Sequence, residues 1–433
     1  MDGELKKGTL LTSENGNKYM VDSLLGEGGQ GAVYDVVMEG KHVALKWYHK
    51  DKATSDQRKI LDNLIEKGAP DEHFLWPEDL VIAENGKRFG YIMPIRPKEY
   101  KNPVALMKGM INPSFLTLCK VAYNVTLEYQ KLHKLGYCYS DISFGNLFFD
   151  PKTGDVLICD NDNVSVNGLY ASQVLGTPRF MAPEIVIGQA KPSRNTDLYS
   201  LAVLIFYMFI VNHPLEGAQE ASIKCMDIHA MRLIYGENPI FIFDPDNKTN
   251  RPVPGYQDNA NIYWDIFPQN VKDLFTISFT TGLKDPRQRV TENTWLEIFA
   301  NMITGIIRCP SCKHEIFYDT SKEELGVAHT CWHCSATAKV PVKMVIGRKV
   351  IVLNKDSKIY AKHTIGNSDM TTITGEVSIN PNNPSMWGIK NLTQDNWTYI
   401  QEDGSQILVP PQRSALIKAN AKIDFGVEIA EFK

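Results

Sequence analysis

The chain has 433 residues, too many for one ordinary domain and enough for two or three that each bury a core. Apolar residues make up 43% and charged residues 22%, as in soluble globular protein, and a net charge of −4 gives no sign of a polyanion partner, so no nucleic acid is expected. The stretch from Met1 to Lys18 is polar and lacks an apolar segment. The longest apolar run, Leu201 to Val211, falls short of the roughly 20 residues of a membrane span and predicts a buried core helix, so a cytoplasmic protein without membrane contact is expected.

In chain order, residues 8 to 50 predict strands at Thr9 to Thr12, Tyr19 to Leu25, Ala32 to Met38 and His42 to Tyr48. Turns are expected at Glu14-Asn15-Gly16 and Glu39-Gly40-Lys41. A helix is predicted over 55 to 67, capped by Ser55, with Ile60, Leu61, Leu64 and Ile65 at helical spacing. Strands follow at Leu80 to Ala83 and Gly90 to Ile95. A helix from Ser114 to Leu135 is expected to stop at Gly136, and mostly helical segments run on to about Ile307. A β-rich first lobe therefore precedes an α-rich second one. After Arg308 come clustered cysteines, then short strand-like runs broken by Asn, Asp, Gly and Pro.

Between the second and third predicted strands lies Leu25-Gly26-Glu27-Gly28-Gly29-Gln30-Gly31-Ala32-Val33-Tyr34. A strand, not a helix, follows the glycines. In that arrangement a hairpin can lie over nucleotide phosphates, its backbone N–H groups approaching the oxygens because side chains are missing. Lys46 ends the apolar run Val43-Ala44-Leu45 and can reach into a cleft to neutralise phosphate charge. Such a lysine needs a carboxylate, and the helix over 55 to 67 offers Glu66 or Asp62. Further on, Asp141 and Asn146 sit five residues apart ahead of an apolar strand. The aspartate can accept a hydroxyl proton, and the asparagine oxygen can serve magnesium, which prefers hard oxygen ligands. A hairpin through Asp150 to Gly154 returns the chain to Asp160, a second metal-binding carboxylate.

These segments resemble the protein kinase superfamily over about residues 20 to 305. Gly26, Gly28, Gly31 and Val33 match the glycine-rich loop, Lys46 the lysine motif, Asp141 and Asn146 the catalytic loop, and Asp160 the aspartate of D-F-G. Gly176 to Glu184 resembles the end of a Ser/Thr kinase activation segment and argues against a small-molecule kinase. Asp197 to Ser200 resembles the start of the central helix of the second lobe. Asp285 to Arg289 resembles the segment whose arginine pairs with the glutamate that is Glu184 here. The resemblance implies ATP and Mg2+ as cofactors, a hinge at Met93 to Arg96 with Met93 as gatekeeper, and Thr177 holding Asp141 through its hydroxyl. It also has departures. Ser140 replaces the arginine that grips a phosphorylated activation loop, Ser143 replaces a lysine, and Asp160-Asn161-Asp162 replaces D-F-G. A phosphate on Ser165, Tyr170, Ser172 or Thr177 would lack its usual clamp, so an activation segment ordered without phosphorylation is expected.

Cys309-x-x-Cys312 and Cys331-x-x-Cys334, eighteen residues apart, can converge four thiolates on one structural Zn2+ and resemble a zinc ribbon. His314, His329 and His333 are expected to be exposed bystanders, and Cys119, Cys138, Cys159 and Cys225 buried and inert. Residues 341 to 433 predict seven short strands: Val350 to Leu353, Glu376 to Ile379, Trp387 to Asn391, Trp397 to Gln401, Gln406 to Val409, Ser414 to Ile417 and Lys422 to Phe425. The stretches at Trp387 to Leu392, Trp397-Thr398 and Lys422 to Gly426 are similar to the second half of forkhead-associated domains, without the arginine that phosphothreonine recognition needs.

The expected fold is α+β. A bilobal kinase domain over 1–305 (first lobe about 8–97, second about 98–305) is followed by a four-cysteine zinc ribbon over 306–340 and an all-β sandwich over 341–433. The expected function is a Ser/Thr protein kinase acting on a protein substrate. A regulatory protein would act through the C-terminal modules, with a partner phosphatase among the candidates. The alternative is a nucleotide-binding pseudokinase scaffold.

Overall fold

The computed structural model describes residues 5–83, 88–166 and 175–433. The chain forms two compact units: Met1–Pro113 with Asn124–Asn261 and Phe275–Asn293, and Ser114–Tyr123 with Ile262–Leu274 and Thr294–Lys433.

The first unit opens with strands β1 (Leu10–Thr12), β2 (Lys18–Glu27), β3 (Gly31–Met38) and β4 (Lys41–Tyr48), then helix α1 (Ser55–Lys67), then β5 (Asp79–Ala83) and β6 (Arg88–Met93). They make one antiparallel sheet in the order β1-β2-β3-β4-β6-β5. Alternation along β4 decides where its side chains go. Leu45 and Trp47 pack with Tyr34, Val36 and Ile92 on one face. Ala44 and Tyr48 pack with Leu61, Phe89, Tyr91 and Met93 on the other, so Lys46 is carried to that second face. The cap of α1 is Thr54, whose hydroxyl accepts from the backbone N–H of Gln57 at 3.1 Å, and the expected cap Ser55 is the first helical residue. The last strand of the sheet stops at Met93, short of the expected Ile95.

The remainder of this unit follows α2 (Pro103–Met107) and α3 (Phe115–Lys134), the helix that runs on from the other unit. Short pairs follow: β7 (Tyr137–Cys138) with β10 (Ser165–Val166), and β8 (Leu147–Phe149) with β9 (Val156–Ile158). Helices α4 (Pro183–Val186) and α5 (Arg194–Ile210) come next, and α5 is buried from Thr196 to Ile210, as the apolar run predicts. Among the described residues no helix is long and apolar enough to cross a membrane. Cys119 and Cys138 are buried, but Cys225 is exposed because it lies in an irregular surface stretch.

In the second unit, Ile306–Arg308 pairs with Glu315–Phe317 and His329–Thr330 with Thr337–Ala338, and each hairpin carries one Cys-x-x-Cys in its turn. An aromatic cluster joins the pieces. Phe115 lies 5.7 Å from Phe267, 5.6 Å from Phe317 and 5.7 Å from Trp332, measured between ring centres. The carboxylate of Glu315 accepts from the backbone N–H of Leu116 at 3.0 Å. Beyond it lie two antiparallel sheets of six and four strands, whose residues share one apolar core around Met344, Ile389, Trp397, Ile423 and Phe432. Lys343–Ile346, Lys358–Tyr360 and Ile429–Phe432 are strands that the sequence pattern did not single out.

Arg289 grips Glu184 at the start of α4 with two parallel bonds of 2.8 Å and donates to the Asn195 carbonyl, while itself only 4% exposed. Arg289→Leu is expected to destabilise the first unit by about 3–5 kcal/mol, because it strands a carboxylate. Arg289→Lys should recover little of this, since lysine lacks the planar fork. Chemical denaturation followed by tryptophan fluorescence measures both.

Candidate active site

The loop between β2 and β3 carries the glycines. None of Gly26, Gly28, Gly29 and Gly31 has a positive φ. A Cβ added at Gly26 or Gly29 would meet nothing within 4 Å, and one at Gly28 only the Gly31 carbonyl at 4.0 Å. Protein packing therefore gives no reason for these three glycines, which is what a loop reserved for another molecule requires. Gly31 differs: a Cβ there would sit 2.2 Å from the Trp47 carbonyl, so it lets β3 approach β4. Val33 pairs with Lys46 across that step and lines the cleft face, and Met93 lies buried opposite Ala44.

Lys46 is 3% exposed. Its ammonium donates to both oxygens of Asp162, at 3.0 and 2.9 Å, and to Gln30 of the glycine loop at 2.9 Å. Asp160 lies 3.5 Å away. Burial works against the charge, but Asp162 and then Asp160 outweigh it and hold the pKa of Lys46 above the usual lysine value. The expected helix partner is absent from this contact. Glu66 and Asp62 are both exposed, and Asp62 lies 4.0 Å from Arg58. The buried face of α1 carries Leu61 and Leu64, and Gln57 sits on that same face. Gln57 donates to the Asp162 carbonyl at 3.0 Å and to the Tyr48 hydroxyl at 3.2 Å, and Tyr48 in turn donates to the Asp162 carboxylate.

Below this cluster, Asn146 donates its amide to the Asp141 carbonyl at 2.9 Å and carboxylate at 3.1 Å, so its oxygen is the atom it has left for a cation. The backbone N–H and hydroxyl of Thr177 both donate to Asp141 Oδ1 at 2.8 Å. Gly176 makes this approach possible: its φ is 110°, and a Cβ would stand 2.9 Å from the Ser140 carbonyl. The β8–β9 hairpin delivers Asp160 with a left-handed backbone (φ 51°) and 42% of its side chain exposed. Removal from water and the charge of Asp162 raise its pKa against the pull of Lys46. Ser143 is buried. Ser165 is buried too, with its hydroxyl 3.2 Å from the Cys138 thiol, a poor place for a phosphate. Tyr170 and Ser172 lie outside the described residues.

A further group supports the loop that carries Asp141; in the sequence Asp197 marks only the start of a helix, and this contact is not foreseen. Asp197, in the first turn of α5, accepts from the backbone N–H of Tyr139 at 2.6 Å and of Ser140 at 3.0 Å. That grip holds Ser140 at its positive φ of 72°. His133 bridges Asp197 at 3.0 Å and Glu292 at 2.5 Å, and Arg194 closes the chain on Glu292.

In the other unit the four thiol sulfurs of Cys309, Cys312, Cys331 and Cys334 lie within 4.8 Å of one another. The separations of 3.6 and 3.5 Å across Cys309–Cys334 and Cys312–Cys331 are close to the about 3.8 Å that tetrahedral metal–sulfur bonds demand. Backbone N–H groups of Cys312 and Ser311 lower the Cys309 thiol, whereas the neighbouring cysteines raise that of Cys312. The donor set fits a metal ion. His333 is exposed, but His314 is half-buried against expectation; the two rings stack at 3.9 Å and, with Cys312, form a second group whose candidate ligand atoms lie within 4.8 Å of one another. His329 departs from expectation: it is buried and accepts from the Asp319 backbone N–H at 2.9 Å.

A glycine loop over a buried lysine and an Asp–Asn loop facing a second carboxylate are brought to one cleft, as the resemblance to protein kinases implies. Residues 88–300 match the family model of the protein kinase domain. Protein kinase YegI of Escherichia coli K12 is 25% identical over 307 residues, covering 66% of this chain and 45% of that protein. The probable serine/threonine-protein kinase CCRP1 of Zea mays is 23% identical over 223 residues, covering 49% of this chain and 34% of the relative. Protein kinase C delta type of Mus musculus is 28% identical over 262 residues, covering 55% and 37%. The chain spans less than half the length of each of these relatives.

The His133 relay makes stability depend on pH at both ends. Burial opposes the imidazolium, but Asp197 and Glu292 raise the His133 pKa above 6.5. Its contribution is fully present below that value and is lost as pH rises through the raised one. Hydrogen bonds from His133 and Arg194 outweigh burial and lower Glu292 from 4.5 to about 2. Its contribution is present above 4.5 and is lost as pH falls toward 2. Thermal melts across this range are expected to show both edges, and His133→Gln should remove the alkaline one.

Proposed function

We propose that the chain is an ATP- and Mg2+-dependent protein kinase that transfers the γ-phosphate to serine or threonine hydroxyls. The observation that carries this reading is the convergence of Lys46, Asp141, Asn146 and Asp160 on one cleft beneath glycines that packing does not require. In this reading Gly26, Gly28 and Gly31 cover the triphosphate, Lys46 neutralises charge on its inner phosphates, and Met93 borders the base. Magnesium, held by the Asn146 amide oxygen and Asp160, would screen charge on the transferring group. Asp141 accepts the proton of the attacking hydroxyl and orients its oxygen, and the two bonds from Thr177 fix the rotamer that does so. The Ser/Thr preference is supported by the Gly176 to Glu184 segment and by the likeness to the maize probable serine/threonine-protein kinase.

The proposal extends to the rest of the chain. The domains are a kinase over 1–305, a zinc ribbon over 306–340 and a forkhead-associated-like β module over 341–433. The four cysteines hold one structural Zn2+, with no open coordination position. The β module serves as an interaction or regulatory surface for another protein, a phosphatase among the candidates.

Incubating the purified protein with radiolabelled ATP, Mg2+ and a generic protein substrate should transfer label. Asp141→Ala should lower the rate by about 100-fold or more while leaving ATP binding nearly unchanged. A wild-type protein that binds ATP but transfers no label would instead support the scaffold reading. Elemental analysis should find one zinc per chain. Cys331→Ser or a chelator should unfold the 306–340 region, read by hydrogen exchange, because binding energy at such a site is largely folding energy.

A further inference from the structure

We infer that Asp162 is the positioning residue for Lys46, in the place where a carboxylate from helix α1 was expected. The inference rests on the kinase reading and deepens it. A buried ammonium must have a counter-ion, and the geometry leaves few candidates. Helix α1 turns Gln57 toward the cleft, and Gln57 carries no charge. Glu66 and Asp62 are on exposed positions of that helix.

Two carboxylates remain, and their surroundings divide the work between them. The Asp162 side chain is 0% exposed. Both of its oxygens accept from Lys46, and one also accepts from the Tyr48 hydroxyl. Its carbonyl is bound by Gln57. It is thus committed to the protein on every side. Asp160 is 42% exposed and stands 3.5 Å from Lys46, so it keeps oxygens that a cation can reach. The anchor is Asp162, and Asp160 is left for the metal.

The lysine is then registered against the first turn after β9. The link continues into the glycine loop through Gln30, which donates to Asn163 at 3.2 Å and accepts from Lys46. Helix α1 acts on Lys46 only at second hand, through the Gln57 amide.

The test compares wild type, Lys46→Met, Asp162→Asn, Glu66→Gln and the double variant Asp162→Asn/Gln57→Glu, which returns a carboxylate from the helix. Each is titrated with ATP and with adenosine, and kcat and KM for phosphoryl transfer are measured. Asp162→Asn is expected to lower kcat by about 100-fold, the usual consequence of misplacing a catalytic group. It should also reduce the preference for ATP over adenosine to the level of Lys46→Met, with adenosine affinity unchanged. Glu66→Gln should match wild type, and the double variant should regain part of both losses. Wild-type kcat and ATP preference in Asp162→Asn, or losses in Glu66→Gln equal to those of Lys46→Met, would overturn the assignment. If wild type transfers no phosphate, the kinase reading fails, and the ATP-over-adenosine comparison still decides the role of Asp162. If Asp162→Asn does not fold, the double variant decides: ATP preference regained supports the inference, and its absence refutes it.

Discussion

A lysine closed off from water keeps its charge only against a carboxylate, and the cleft of this chain is arranged around that demand. Strand alternation sends Lys46 to the face shared by Ala44 and Tyr48, where it is 3% exposed. The counter-charge comes from the turn after β9, which therefore has to reach the sheet. The β8–β9 hairpin brings it there, and the backbone bonds between Leu75 and Ile158 and between His73 and Ile158 fasten it. Tyr48 and Gln57 then take up the remaining acceptor capacity of Asp162. The two lobes are joined at this point by charge-assisted hydrogen bonds as well as by the apolar contacts of Leu157 and Phe148.

The loop that carries Asp141 is held by the same kind of interaction, with backbone in place of ammonium. Asp197 spends its two oxygens on consecutive N–H groups, and so fixes a left-handed residue that an unassisted serine would rarely adopt. Asp141 is fixed from the other side by Thr177. Ser140 thus enters the site through its backbone, held by Asp197.

Much of this was legible in the sequence. The glycines, Lys46, Asp141, Asn146, Asp160 and the cysteine pairs could be found because each depends on local spacing. The Arg289–Glu184 pair could be found by resemblance. The partner of Lys46 could not be found by looking for an acidic residue on α1. The better signal was phase: Leu61 and Leu64 mark the buried face, and counting back along it gives Gln57, while Glu66 falls on the far side. Asp162 carried no signal of its own, because which of two carboxylates two residues apart turns inward depends on the left-handed turn at Asp160. The relay of His133, Asp197 and Glu292 joins residues from three distant segments, so only the tertiary fold assembles it. The late strands Lys343–Ile346 and Ile429–Phe432 were missed for a similar reason: they pair with each other from opposite ends of the region.

The aromatic cluster of the second unit has a consequence for how the chain is made. Phe115 leaves the ribosome early, and its neighbours Phe317 and Trp332 leave about two hundred residues later. At ordinary elongation speeds that is a delay of roughly ten to forty seconds. Until it ends, the Phe115 ring lacks two of its three aromatic neighbours, only Phe267 having been made, and the backbone N–H of Leu116 waits for the Glu315 carboxylate. The nascent chain therefore passes through a period in which an early segment is synthesised but unfinished, a natural moment for a chaperone to hold it.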